Sequence, residues 1–173
     1  MSIITAEALR KSARKTFPVY RKIAKDPVYA LRLSHALRNS DLDKVETLLK
    51  QATSGFNTFG ANPGGFDIGY SAQPPADEIF NATSVKGRGT LTATGLAKLS
   101  RRILPLYRKI SCDKKFSTAL VLAAKAGNHT RLRRLIAPLI PNNRLVSVRG
   151  DKKSIVLEIK TCDVVFINQF FVL

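Results

Sequence analysis

Tyr29, Leu33 and Leu37 fall at i, i+4 and i+8, the repeat of one apolar stripe on an α-helix. Leu42, Val45, Leu48 and Leu49 resume that period after the break at Asn39-Ser40-Asp41, so the segment predicts a helical hairpin. Upstream, the Thr5 hydroxyl is suited to cap a first helix. Pro18 is expected to stop or kink that helix near Thr16, because the residue before a proline resists the helical region. A short turn through Tyr20-Arg21-Lys22-Ile23 follows. Asp26 and Pro27 then have the character of the next N-cap and first helical residue.

The whole pattern recurs 87 residues later. Thr5/Thr92, Ala6/Ala93, Leu9/Leu96, Lys11/Lys98, Arg14/Arg101, Pro18/Pro105 and Tyr20/Tyr107 are identical, and Arg21-Lys22-Ile23 returns as Arg108-Lys109-Ile110. Asp26/Asp113, Leu33/Leu120, Ala36/Ala123 and Leu48/Leu135 complete 14 identities over 46 aligned positions, 5–50 against 92–137. Background residue usage gives about three. Other pairs exchange like for like, as in Phe17/Leu104, Tyr29/Phe116 and Val45/Leu132. The sequence is therefore expected to hold two copies of one helical unit.

Residues 53–91 match neither copy. Seven glycines (Gly55, Gly60, Gly64, Gly65, Gly69, Gly87 and Gly89) and the aromatics Phe56, Phe59, Phe66 and Tyr70 predict an insertion or linker, pinned to the helices or to a neighbouring subunit. From Arg144 onward the period becomes that of strands: Leu145–Val148, a turn at Gly150–Lys153, Ser154–Ile159, and a third strand from Val164 to Leu173. The expected fold is α+β. Helical unit one spans 1–52, the Gly/aromatic segment 53–91, helical unit two 92–141, and a three-stranded antiparallel meander 142–173. The chain ends in the apolar run Phe170-Phe171-Val172-Leu173, which needs cover from its own sheet or from another subunit. Phe56, Phe59, Phe66, Tyr70, Phe170 and Phe171 are accordingly the expected subunit contacts.

Charge alters this picture more than composition does. A hydrophobic content of 45% calls for a packed core, yet 29 Lys+Arg stand against 12 Asp+Glu, a formal charge of +17. Self-repulsion of that size is relieved by an anionic partner. The excess is also local. Residues 98–134 carry 11 basic side chains and one acid, Asp113, where a solvated helix face normally mixes signs. Lys11, Arg14, Arg21 and Lys22 in the first copy are the expected phosphate contacts. Lys98, Arg101, Arg102, Arg108, Lys109, Arg131, Arg133 and Arg134 are their counterparts in the second. The expected partner is nucleic acid or another polyanion, with an acidic protein surface as the competing match and an anionic membrane surface as a weaker one. No recognition-helix pattern of base-reading Asn, Gln or Arg is visible, so sequence-specific reading is not expected.

Catalytic chemistry has little to stand on. Cys112 and Cys162 form no CxxC pair, and neither His35 nor His129 has a partner at metal-ligand spacing. Lys86-Gly87-Arg88-Gly89 lacks the spacing of a phosphate-cradling loop, and Arg149-Gly150-Asp151 is ordinary turn chemistry. No enzyme activity, small-molecule substrate, metal or cofactor is expected. No run reaches transmembrane length and the first residues do not form a secretory h-region, so an intracellular site, or one inside a particle assembled in the cell, is the expectation. The leading expectation is a non-enzymatic basic protein docking on nucleic acid or within a nucleic-acid-containing particle. The alternative is a structural subunit of a large assembly, such as a phage particle or a spore layer, self-associating through the Gly/aromatic segment and the apolar C-terminus.

Overall fold

Among the described residues, every α-helix begins at a side chain that takes up a free backbone N–H. In the computed structural model, which describes residues 2–162 and 164–173, Thr5 accepts from the Ala8 amide (3.1 Å) at the start of α1, Ala6–Lys25. Asp26 accepts from Tyr29 (3.0 Å) at α2, Pro27–Arg38, and Asp41 from Lys44 (3.0 Å) at α3, Leu42–Ala52. The same three devices open the second half. Thr92 caps α4, Ala93–Cys112; Asp113 caps α5, Lys114–Lys125; and Asn128 caps α6, His129–Ile136. Two 3-10 turns, Ala137–Leu139 and Pro141–Asn143, lead away from α6.

Pro18 and Pro105 do not end the first helices as expected. Both lie inside continuous 20-residue helices. A proline removes one hydrogen bond to the carbonyl four residues back, here Arg14 and Arg101. Those two residues are exposed, so water can satisfy the freed oxygens. Beyond each proline, Val19, Tyr20 and Ile23, or Leu106, Tyr107 and Ile110, are buried. Burying three large side chains outweighs one lost bond of about 1 kcal/mol net.

The sheet departs further from expectation. It has six strands, not three, because the segment taken for an insertion supplies half of it. β1 (Thr58–Asn62), β2 (Gly65–Ser71) and β3 (Glu78–Val85) join β4 (Leu145–Gly150), β5 (Ser154–Lys160) and β6 (Val165–Phe171) in the order β1-β2-β3-β6-β5-β4. All neighbouring pairs are antiparallel. The apolar C-terminal strand is thus a central strand, sealed by β3 and β5 of its own chain. Phe66, Tyr70 and Phe170, expected to contact other subunits, fill the monomer core at 3%, 0% and 1% exposure. Phe56, Phe59 and Phe171 are half-buried, Phe56 meeting Phe59 edge-on and Phe171 stacked on Phe80 at 5.0 Å between ring centres.

The order α-α-α-β-β-β therefore runs twice, and the sheet reads the same from either edge. At the centre of the β3–β6 ladder Ala82 pairs with Gln169, 87 residues further along the chain. Directly beneath, Tyr20 of α1 and Tyr107 of α4 meet edge to face at 5.1 Å. A buried ring of hydrogen bonds closes around them. Tyr20 donates to Asn81 Oδ1 (2.6 Å), the Asn81 amide donates to the Tyr107 hydroxyl (2.6 Å), and Tyr107 donates to Asn168 Oδ1 (2.8 Å). The Asn168 amide reaches Thr83 Oγ1 (2.9 Å), which lies 2.7 Å from the Tyr20 hydroxyl. Asn81 and Asn168 are again 87 apart. Polar side chains survive at 0% exposure here because each finds a partner.

The inward face of the sheet, including Ile68, Ile79, Leu157, Ile159 and Phe166, packs under the helices in one core. α1 and α4 are left side by side over the sheet's midline, each with one face turned to solvent. Both ends of the chain return to one place: the Ile4 amide donates to the Lys152 carbonyl (2.9 Å) and the Val172 amide to that of Lys153 (3.0 Å), in the turn between β4 and β5.

Candidate functional site

The outward stripe of α1 carries Phe17, Arg21 and Lys25 at i, i+4 and i+8. That of α4 carries Arg101, Leu104, Pro105, Arg108 and Cys112. Because the two helices lie side by side, these stripes face a shared groove of about 880 Å³. Lys109, Asp113, Lys114 and Lys115, from the end of α4 and the start of α5, form one wall, and Leu139 of the first 3-10 turn adds an apolar group. Seven cations thus surround one carboxylate over a floor of apolar side chains.

Local bonding organises the groove. Lys109 pairs with Asp113 at 2.8 Å. That lysine, followed by the Phe116 amide that the carboxylate caps, holds Asp113 below the usual carboxylate range. The single acid is thereby spoken for twice, and Arg21, Lys25, Arg101, Arg108, Lys114 and Lys115 dominate the local potential. Arg108 sits over the Phe17 ring at 5.6 Å and Lys109 over Phe116 at 5.8 Å, within cation–π range. Lys114 and Lys115 occupy the first turn of α5, where the helix dipole disfavours positive charge. The first two residues of α2, Pro27 and Val28, carry none. A placement that works against its own helix and is absent from the matching helix has no structural explanation.

Of the twelve expected polyanion contacts, Arg21, Arg101, Arg108 and Lys109 come together here. Arg14 is exposed on α1 outside the groove. Several others are engaged within the chain. Lys11 reaches the Ser71 hydroxyl (3.4 Å), Lys22 lies over Tyr29 (5.2 Å), and Lys98 contacts Cys162 Sγ (2.8 Å). Arg102 donates to the Lys160 carbonyl (2.9 Å) and Arg133 to the Leu145 carbonyl (2.8 Å), tying helix to sheet. Arg131 and Arg134 line a separate recess of about 300 Å³ on α6. Sequence reasoning placed Lys114 and Lys115 in the basic stretch but not in the site, and it missed the floor of Phe17, Leu104 and Pro105. The loss of Pro27-Val28 in favour of two lysines was the available signal.

No group of three or more His, Cys, Asp or Glu able to hold a metal occurs among the described residues. Among the described helices none is long and apolar enough to cross a membrane.

No protein-family model, curated protein or solved structure matches this chain.

Proposed function

We propose that this is a non-enzymatic basic protein that docks on nucleic acid, or within a nucleic-acid-containing particle, through the outward faces of α1 and α4. The observation that carries the reading is the groove between those helices, where seven cations meet one already paired carboxylate. Phosphate neutralisation uses such a surface directly: bound cations release counterions from the nucleic acid, and affinity falls steeply with salt. Binding of this kind depends little on base sequence. We also infer that the two halves descend from one duplicated unit. The 87-residue shift relates the caps, prolines and central Tyr–Asn pairs, and both copies contribute a strand block as well as three helices.

The test is affinity for DNA and RNA of varied sequence as a function of salt. Changing Arg21, Arg101, Arg108 and Lys114 together to Ala removes four exposed charges without touching the core. The slope of log affinity against log salt is expected to flatten by about three. Absence of binding at low salt, or an affinity indifferent to salt, rules the reading out. The alternative, a structural subunit of a larger assembly, draws support from Val28 and Leu31, which stand 58% and 57% exposed on α2. Retention of the protein in large particles after nuclease digestion favours that alternative.

A further inference from the structure

We propose that the α1–α4 groove seats a short single-stranded stretch of nucleic acid, its bases against Phe17, Leu104 and Pro105 and its phosphates on the flanking cations. The inference rests on the nucleic-acid reading and narrows it to one form of the polymer and one place on the molecule.

Charge alone would be served by a flat or convex basic surface. The exposed cations here instead share a recess with the half-buried Phe17 and Leu104 and with Pro105. A duplex offers phosphates and sugars outward and keeps its base faces stacked inside, so docking a duplex would leave those three side chains facing water. An unpaired strand exposes both chemistries together: anionic phosphates and flat, poorly hydrated base faces that stack on aromatic side chains. The volume, about 880 Å³, lies in the range of sites that enclose a small organic ligand. It suits a few nucleotides and not a length of helix.

Phe17 gives the more specific indication. Its ring is half-buried, and the planar Arg108 guanidinium lies over it at 5.6 Å. An exposed planar cation over that ring marks a face that a flat base can take over. The guanidinium then needs only to move to the neighbouring phosphate, where charge favours it. Arg21 and Lys25 from α1, with Lys114 and Lys115 from α5, give phosphates partners from two elements. None of the four has an ion pair among the described residues, so none must leave a carboxylate to bind.

The experiment compares oligo(dT) with a duplex of equal phosphate count by fluorescence anisotropy, for the full-length protein and for Phe17→Leu and Phe17→Tyr. Leucine keeps the apolar volume and loses the ring; tyrosine keeps the ring. The single strand is expected to bind more tightly than the duplex. Phe17→Leu should weaken the single strand about tenfold while sparing duplex binding and the salt slope, and Phe17→Tyr should restore it. Location is read separately from the rate of maleimide modification. Cys112 lines the groove, whereas Cys162 lies beside Lys98 in a different recess. Oligo(dT) should slow reaction at Cys112 and leave Cys162 unchanged. Equal affinity for both forms with no effect of Phe17→Leu, or protection that spares Cys112, overturns this inference and leaves general docking on nucleic acid intact. No binding of either form at low salt removes both.

Discussion

Tyr20, Tyr29, Tyr70 and Tyr107, the only four tyrosines in the chain, all bury their rings and keep their hydroxyls occupied. Tyr29 donates to the Leu48 carbonyl (2.7 Å), Tyr70 lies 3.1 Å from the Thr53 hydroxyl, and the other two belong to the central ring. Burial, the largest influence in each case, pushes Tyr70 up to about 12 and raises the other three as well. An unfolded tyrosine ionises near 10. Folding thus favours the neutral phenol, and this contribution is complete below about pH 10 and lost as pH rises beyond it. Phenolate absorbance should appear together with loss of far-ultraviolet circular dichroism in one alkaline step. Phenolate at the ordinary tyrosine pH in a still-helical protein would contradict the burial. Also at this scale, the caps Thr5, Thr92, Asp26 and Asp113 were legible in advance, since Thr and Asp bond to amides two or three positions on and need only local geometry, whereas Asp41 and Asn128 were read only as breaks between helices. The fate of individual cations was not legible. Nothing local says that Arg102 and Arg133 reach backbone carbonyls of the sheet while Arg101 and Arg108 remain exposed in the groove.

Elements were readable to the extent that their signals are short-range. Helical stripes and caps located α2 and α5 closely, whereas a local rule about proline misplaced the ends of α1 and α4. Pro18→Ala tests why the helix continues. Restoring the bond and removing the ring's clash with the Arg14 carbonyl together gain up to about 3 kcal/mol, and the freer unfolded chain takes back about 0.4–1. A net stabilisation of about 1–2 kcal/mol is expected from denaturant unfolding, and a destabilised variant would mean that the ring's packing matters more than the bond. The strands of 53–91 were missed because their glycines look like loop. Gly65 is glycine because a side chain there would run into the backbone of Thr83 and Ser84, and Gly69 because the Phe80 ring covers it. Those contacts come from a neighbouring strand and leave no trace in local spacing. The final strand looked like an exposed edge for the same reason: its apolar run is explained by β3, some 85 residues earlier, and not by anything adjacent.

For the molecule as a whole, the α+β character and the concentration of positive charge were evident from the residues, and the closing of two strand blocks into one sheet was not. That closure depends on the β3–β6 ladder and on the Tyr–Asn ring below it, contacts that join the halves across the full length of the chain. The chain ends carry a consequence of their own. Ile4 and Val172 are clipped to the neighbouring carbonyls of Lys152 and Lys153, so a short Gly/Ser linker can join Leu173 to Met1. The exposed link at residues 86–90, between β3 and α4, offers a place to open new termini. A circular permutant starting at Gly89 would read α4–β6 first and α1–β3 second. It should fold to the same helix content, unfold as one transition and keep its affinity for oligo(dT). Loss of cooperative melting in that permutant would show that the 86–90 link is needed to hold the two halves together. Its survival would mean that the three-dimensional arrangement is indifferent to which half the ribosome makes first.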